Sequence, residues 1–172
     1  MVRRAQPLAW AAWGMSDFYG PSDRAESIAT IRMALDANVT LLDTGDFYGM
    51  GHNELLIAEA IQGRPRDQII LSVKFGAQRD PAGKWVGFDA RPAAVKTALA
   101  YTLKRLGTDH IDIYRPARLD PHVPIEDMVG AIAEMVICAI PAPRPRRAKM
   151  PGNAEENWEV AETRRKLTEN QV

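Results

Sequence analysis

Short apolar runs that turn polar within one residue alternate along the chain with longer segments whose apolar residues recur every three or four positions. Leu8 to Trp13 is the first run and ends at Gly14. The second holds Val39, Leu41 and Leu42 and switches to polar at Asp43; the third, Ile69 to Val73, ends in Lys74; the fourth is Ile111 to Tyr114. Runs of this length bounded by polar residues predict buried strands. Between them lie four helical patterns. Ser22 and Asp23 are N-cap candidates, with Glu26 three residues after Asp23 as in a capping box. Ile28, Ile31, Met33 and Leu35 follow on one face until Asn38, which suits a left-handed C-cap. Asn53 is placed to cap a helix from Glu54 to Gln62 carrying Leu55, Leu56, Ala58 and Ile61, with Gly63 and Pro65 as its stop. Pro92 suits the first turn of a helix to Leu106, with Val95, Leu99 and Leu103 on its apolar side and Gly107 just past its end. Ile125 to Val136 is the fourth.

Strand-then-helix units in succession predict an α/β fold with parallel pairing and right-handed crossovers. In such sheets reactive side chains gather at the carboxyl ends of the strands. The polar switch at Asp43 therefore reads as the point where strand gives way to site. Tyr48 follows in the same loop and Lys74 ends the third strand, so an acid, a phenol and an amine can meet at one mouth. Each alone has a plainer reading: Asp43 capping a turn, Tyr48 a half-buried rim residue, Lys74 a solvated charge. The longer loop GAQRDPAGKWVGFDA after Lys74 is rich in turn residues, and its Trp85 and Phe88 either line that mouth or pack beneath the loop.

Composition narrows the function classes. With 172 residues, 46% hydrophobic and 26% charged, the chain reads as a soluble globular protein of about one domain. Lys plus Arg (22) equals Asp plus Glu (22), so no overall field favours nucleic acid or an anionic membrane. No apolar run approaches the roughly 20 residues needed to span a bilayer, and MVRRAQPLAWAAW does not read as a signal peptide. Cys138 is the single cysteine and the three histidines lack zinc-like spacing, so a cytoplasmic, metal-free protein is expected.

The segment DTGDFYGMGHNELLIAEAI resembles the aldo-keto reductase signature D-T-A-x-x-Y-G-x-x-x-x-E, with Gly45 where the family usually has alanine. GMSDFYGPSD before it, LSVKFG after it and DIYRPARLDPHVPIEDMVGAIAEMV further on resemble consecutive parts of the same family, so the similarity covers Trp13 to Val136. The resemblance implies a partial (β/α)8 TIM barrel of four to five parallel strands with flanking helices. It also implies NADP(H)-dependent reduction of a small aldehyde or ketone, with Tyr48 as proton donor, Lys74 beside it and Asp43 holding Lys74. A phenol has an ordinary pKa of about 10 and needs such a neighbour to act as an acid near neutral pH. One departure stands out. The family's histidine after the fourth strand is Ala117 here, and His122 lies five residues further on, beyond easy reach.

Residues 1–136 are thus expected to form an aldo-keto reductase-like half barrel and residues 137–172 a Pro/Arg-rich tail. In that tail ICAIP, a basic stretch and EEN resemble the family's eighth strand, loop and helix, which hold the adenosine 2′-phosphate. The resemblance places Arg144, Arg146, Arg147, Glu156 and Asn157 near that phosphate, and Gly14, Met15 and Ser16 near the nicotinamide; as a bare pattern, the arginine run is a solvated basic loop. There is no G-x-G-x-x-G after the first strand. Ile137 to Ile140 would pair beside the first strand, in the order 8-1-2-3-4. Two open edges would remain, inviting homo-oligomerisation. The alternative to an enzyme is a non-catalytic, self-associating remnant.

Overall fold

A computed structural model of the chain describes residues 8–16 and 22–138. Four parallel strands form one sheet: β1 (Leu8–Ala11), β2 (Val39–Gly45), β3 (Ile70–Phe75) and β6 (Ile113–Pro116), in the order β1-β2-β3-β6. Helices α1 (Arg24–Asp36), α2 (His52–Ile61) and α3 (Pro92–Leu106) connect them, and α4 (Ile125–Cys138) follows β6. The sheet is open: among the described residues neither β1 nor β6 has a strand on its outer side.

Alternation along the strands separates two faces, because successive side chains point to opposite sides. Leu42, Leu71 and Val73 are fully buried and join Ile28 and Ile31 of α1 and Leu56, Ile57 and Ala60 of α2 in the main core. Each such aliphatic side chain contributes about 1.5–3 kcal/mol by leaving water. A second cluster puts Phe75 with Val95 of α3 and Met128 and Ala131 of α4. Tyr114 stacks on Phe75 at 4.3 Å between centroids and donates its hydroxyl to the Val95 carbonyl at 3.0 Å. The face turned away from the helices carries Asp43, Ser72, Lys74 and Arg115. In register Asp43 lies beside Ser72, and Lys74 beside Arg115.

Several boundaries differ from the pattern in the sequence, each for a local reason. β2 does not end at Asp43, nor β3 at Lys74; both continue until Gly45 and Phe75, because the polar side chains take only the open face while Thr44 and Phe75 stay buried. β6 starts at Ile113 rather than Ile111, because the Asp112 carboxylate accepts the Leu71 N–H at 2.8 Å in place of a ladder carbonyl. β1 gives way at Ala12–Met15 to a 3-10 turn. The long loop after β3 is an antiparallel hairpin of β4 (Ala77–Arg79) and β5 (Trp85–Phe88). Ile137 and Cys138 lie in α4, so they do not form a strand beside β1; the apolar repeat of α4 runs past Val136 and carries the chain on as helix. Residues 139 and 140 are outside the described residues. The sheet has four strands, without an eighth-strand partner among them.

Caps fare unevenly. Asp23 accepts the Glu26 N–H at 2.8 Å as its spacing predicts, Asn38 sits at φ 64°, and Gly107 closes α3 at φ 66°. Asn53 does not cap α2, which starts at His52 with Gly51 as N-cap at φ 94°. The core face of α2 is accordingly displaced by one position, so Leu55 is exposed, as is Met33 on α1.

Candidate active site

Asp43, Tyr48 and Lys74 meet at the carboxyl ends of β2 and β3. The Lys74 ammonium donates to Asp43 Oδ2 at 2.5 Å and to Tyr48 Oη at 2.8 Å. Ser72, beside Asp43 in register, donates its hydroxyl to Asp43 Oδ1 at 2.9 Å. Burial acts to raise the Asp43 carboxyl. The hydrogen bonds from Lys74 and Ser72 and the charges of Lys74 and Arg115 outweigh it and hold the group below the usual carboxylate range. Asp43 therefore stays ionised beside the Lys74 side chain that bridges it to the phenol.

Tyr48 is buried, and the backbone that follows it explains its placement. Gly49, Met50 and Gly51 occupy left-handed conformations in succession, turning the chain from the strand end into α2. A side chain on Gly49 would lie 3.1 Å from the Ser16 carbonyl oxygen, so glycine allows this turn to pack against the segment after β1. Asn53 fixes the same junction. It accepts the Thr44 hydroxyl at 2.7 Å and donates to the Ala12 carbonyl at 2.7 Å, both buried, and to the half-buried Ser16 Oγ at 2.9 Å.

Beyond Tyr48 lies a cavity of about 400 Å³. Phe47, Trp85 and Phe88 make its apolar side, and Lys74, Arg115 and Arg118 its basic one. Phe47 meets Tyr48 edge-on at 4.7 Å and Trp85 at 5.6 Å between centroids, and the Arg79 guanidinium lies 4.2 Å from the Trp85 ring centre. Trp85 and Phe88 thus line the mouth rather than pack beneath a loop. Ala117 also faces the cavity, so the slot after the fourth strand of the sheet carries no donor side chain.

The sequence reading missed two participants. Arg115 reaches across from β6 and donates to Asp43 Oδ1 at 2.9 Å, so one carboxylate serves two cations. Its position was readable: Tyr114 is apolar-facing, so the next residue of an extended strand turns to the Lys74 side. The other is Asp46, two residues before Tyr48. Burial, aided by the Glu54 charge, pushes its carboxyl up to about 7, against the pull of Arg105 and of the backbone N–H groups of Gly76 and Phe47. Glu54 itself is fully buried and paired with Arg105 Nε. Glu54 is the final Glu of the D-T-A-x-x-Y-G-x-x-x-x-E pattern, whereas no spacing signals Asp46 or Arg105.

Of the residues expected near a cofactor, Gly14 and Met15 lie in the 3-10 turn at the carboxyl end of β1, with Ser16 just after it and bonded to His52 Nδ1 at 3.1 Å as well as to Asn53. His52 is the first residue of α2. His122 does not line the cavity; its backbone N–H caps Asp120 at 2.9 Å. Arg144, Arg146, Arg147, Glu156 and Asn157 lie outside the described residues. Among the described residues no cluster of His, Cys, Asp and Glu is arranged to hold a metal ion, and no helix is long and apolar enough to cross a membrane.

The model of the aldo/keto reductase family matches residues 8–137. The chain belongs to that family. It is 35% identical over 132 residues to "Probable aldo-keto reductase 1" of Glycine max, covering 75% of this chain and 37% of that protein. It is 34% identical over 131 residues to "Aldo-keto reductase yakc [NADP(+)]" of Schizosaccharomyces pombe, covering 75% and 38%. The chain therefore spans less than half the length of the curated relatives it matches. An aldo-keto reductase of Bacillus halodurans solved in its holo form superposes with a TM-score of 0.68 at 29% identity, over 77% of this chain and 43% of that one. One from Klebsiella pneumoniae in complex with NADPH gives 0.61 at 28%, over 77% and 42%. The four-stranded sheet and its helices are thus a part of the aldo-keto reductase barrel, with both edges open among the described residues.

Proposed function

We propose that the chain reduces an aldehyde or ketone with NADP(H), Tyr48 being the proton donor. The observation that carries the reading is the chain of hydrogen bonds from Asp43 through Lys74 to Tyr48 Oη, at the edge of a cavity of substrate size. NADPH, when bound, supplies the hydride to the carbonyl carbon. Tyr48 then gives its proton to the carbonyl oxygen, and Lys74 stabilises the phenolate left behind. Asp43 holds Lys74 charged and aimed. Gly14, Met15 and Ser16 suit the nicotinamide end, since Asn53 bonds the Ala12 carbonyl and Ser16 Oγ and so ties their segment to Thr44 of β2. By the same reading Arg144, Arg146, Arg147, Glu156 and Asn157 hold the adenosine phosphate, where forked arginine donors match its oxygens. The NADP(+) in the fission yeast relative's name and the NADPH in the Klebsiella structure support that choice of cofactor. A cytoplasmic location fits this cofactor use. Titrating the purified chain with NADPH while following cofactor fluorescence tests the reading. Saturable binding is expected, and no binding at millimolar cofactor would remove the hydride source.

A second reading rests on the open edges of β1 and β6. Unpaired strand edges invite pairing between copies, and Ile113 on the outer strand is 40% exposed. On this reading the chain is a self-associating module that keeps the family's side chains without turnover. A sedimentation measurement showing a concentration-dependent oligomer, together with absent NADPH binding, would favour it.

A further inference from the structure

Charge is distributed unevenly around the cavity beside Tyr48. Three cationic side chains, Lys74, Arg115 and Arg118, line it, and among the described residues no carboxylate does. Asp43 lies beneath two of them and is the single carboxylate they share. Arg118 is exposed, and among the described residues no acidic side chain pairs with it. The ionised cluster thus carries an excess of two positive charges toward the cavity. Ala117, between Arg115 and Arg118, is too short to fill the space or neutralise it. The rings of Phe47, Trp85 and Phe88 also line it.

A small neutral aldehyde would leave those guanidinium groups without a partner. An anion placed there gains forked, charge-assisted hydrogen bonds, and a flat apolar body can rest on Trp85 and Phe88. We infer that the preferred substrate is a carbonyl compound that also bears a carboxylate, its carbonyl at Tyr48 and its carboxylate against Arg118 and the free edge of Arg115. The inference rests on the reductase reading of this site. It adds the substrate class and makes Arg118 a specificity residue. Arg115 is committed in part to Asp43, so Arg118 supplies the more available fork.

The test compares binding with turnover. Calorimetric titration of the full chain with benzoate and with benzamide, without cofactor, measures the anion preference directly. Benzoate is expected to bind at least about tenfold more tightly, the preference shrinking with added salt and being lost in Arg118→Ala, largely restored in Arg118→Lys and reversed in Arg118→Glu. With NADPH, the ratio of kcat/KM for 4-carboxybenzaldehyde to that for 4-methylbenzaldehyde is expected to fall by about tenfold or more in Arg118→Ala. Benzoate preference without turnover of either aldehyde would sink the reductase reading while leaving the anion site standing. Turnover with equal kcat/KM for the two aldehydes would overturn the inference and leave the reductase reading intact. Arg118→Ala weakening NADPH but not benzoate would assign the cation to the cofactor's phosphates and would also overturn it.

Discussion

Lys74 donates to the phenol oxygen of Tyr48 at 2.8 Å while its other hydrogen bond ends on Asp43. The Lys74 side chain is only 17% exposed, so its charge acts through little water. Lys74→Met, similar in length but uncharged, removes that support from the phenolate. The expected loss in carbonyl reduction is about 10²-fold or more in kcat. Initial rates with a saturating aldehyde check it, with circular dichroism confirming the fold.

Ala117 leaves the substrate oxygen with one donor fewer than the family pattern implies. Ala117→His is expected to raise kcat/KM for a neutral aldehyde by about tenfold to a hundredfold, since one such donor is commonly worth about 10²–10³ in rate. An unchanged or lower rate would show that Arg115 and Arg118 already meet the oxygen's needs.

Asp46 contributes a pH dependence of definite sign. Its folded pKa, about 7, lies above the ordinary 3.8, so the folded state binds the proton more tightly. Its contribution to stability is fully present below the ordinary value and is lost as pH rises through about 7. Asp46→Asn keeps the shape and removes the titration. At about 1.4 kcal/mol per unit, the variant is expected to be more stable than the parent by up to about 4 kcal/mol at pH 8 and nearly equal at pH 4. Urea unfolding at the two values measures the difference.

Glu54 is fully buried and its partner is Arg105. Removing one member of a buried pair strands the other, at a cost of about 3–5 kcal/mol. Arg105→Met is expected to cost that much in urea unfolding, whereas Arg64→Met, which breaks the surface pair with Asp36, should cost about 1 kcal/mol or less. Similar losses in the two variants would mean that the Glu54 pair is not held dry.

The parallel sheet, the order of its four described strands and the meeting of Asp43, Tyr48 and Lys74 were legible because strand runs, helix periodicity and the D-T-G-D-F-Y-G segment report on the same architecture from different directions. What escaped the pattern depended on which face a residue takes. Asp43 and Lys74 looked like strand ends because polarity was read as a break, whereas both lie within strands and use the open face. Asn53 looked like a cap and is instead the buried tie between β2 and the segment after β1, a role set by tertiary neighbours. Trp85 and Phe88 were left between lining the mouth and packing beneath a loop, and the hairpin that carries them went unread, since Gly87 and the register shift between Gln78 and Arg79 obscure the alternation. Ile137 and Cys138 read as strand when followed toward the tail and are helix when followed from α4.

The most direct test of the account is the rate of NADPH consumption with an aldehyde, wild type against Tyr48→Phe. The phenylalanine keeps the ring packed against Phe47 and removes only the hydroxyl that Lys74 reaches. A fall of about 10²–10⁴-fold in kcat, with NADPH still bound, is the predicted result. Undiminished reduction by Tyr48→Phe would contradict the assignment of Tyr48 as proton donor, and with it the reading of Asp43 and Lys74 as its support.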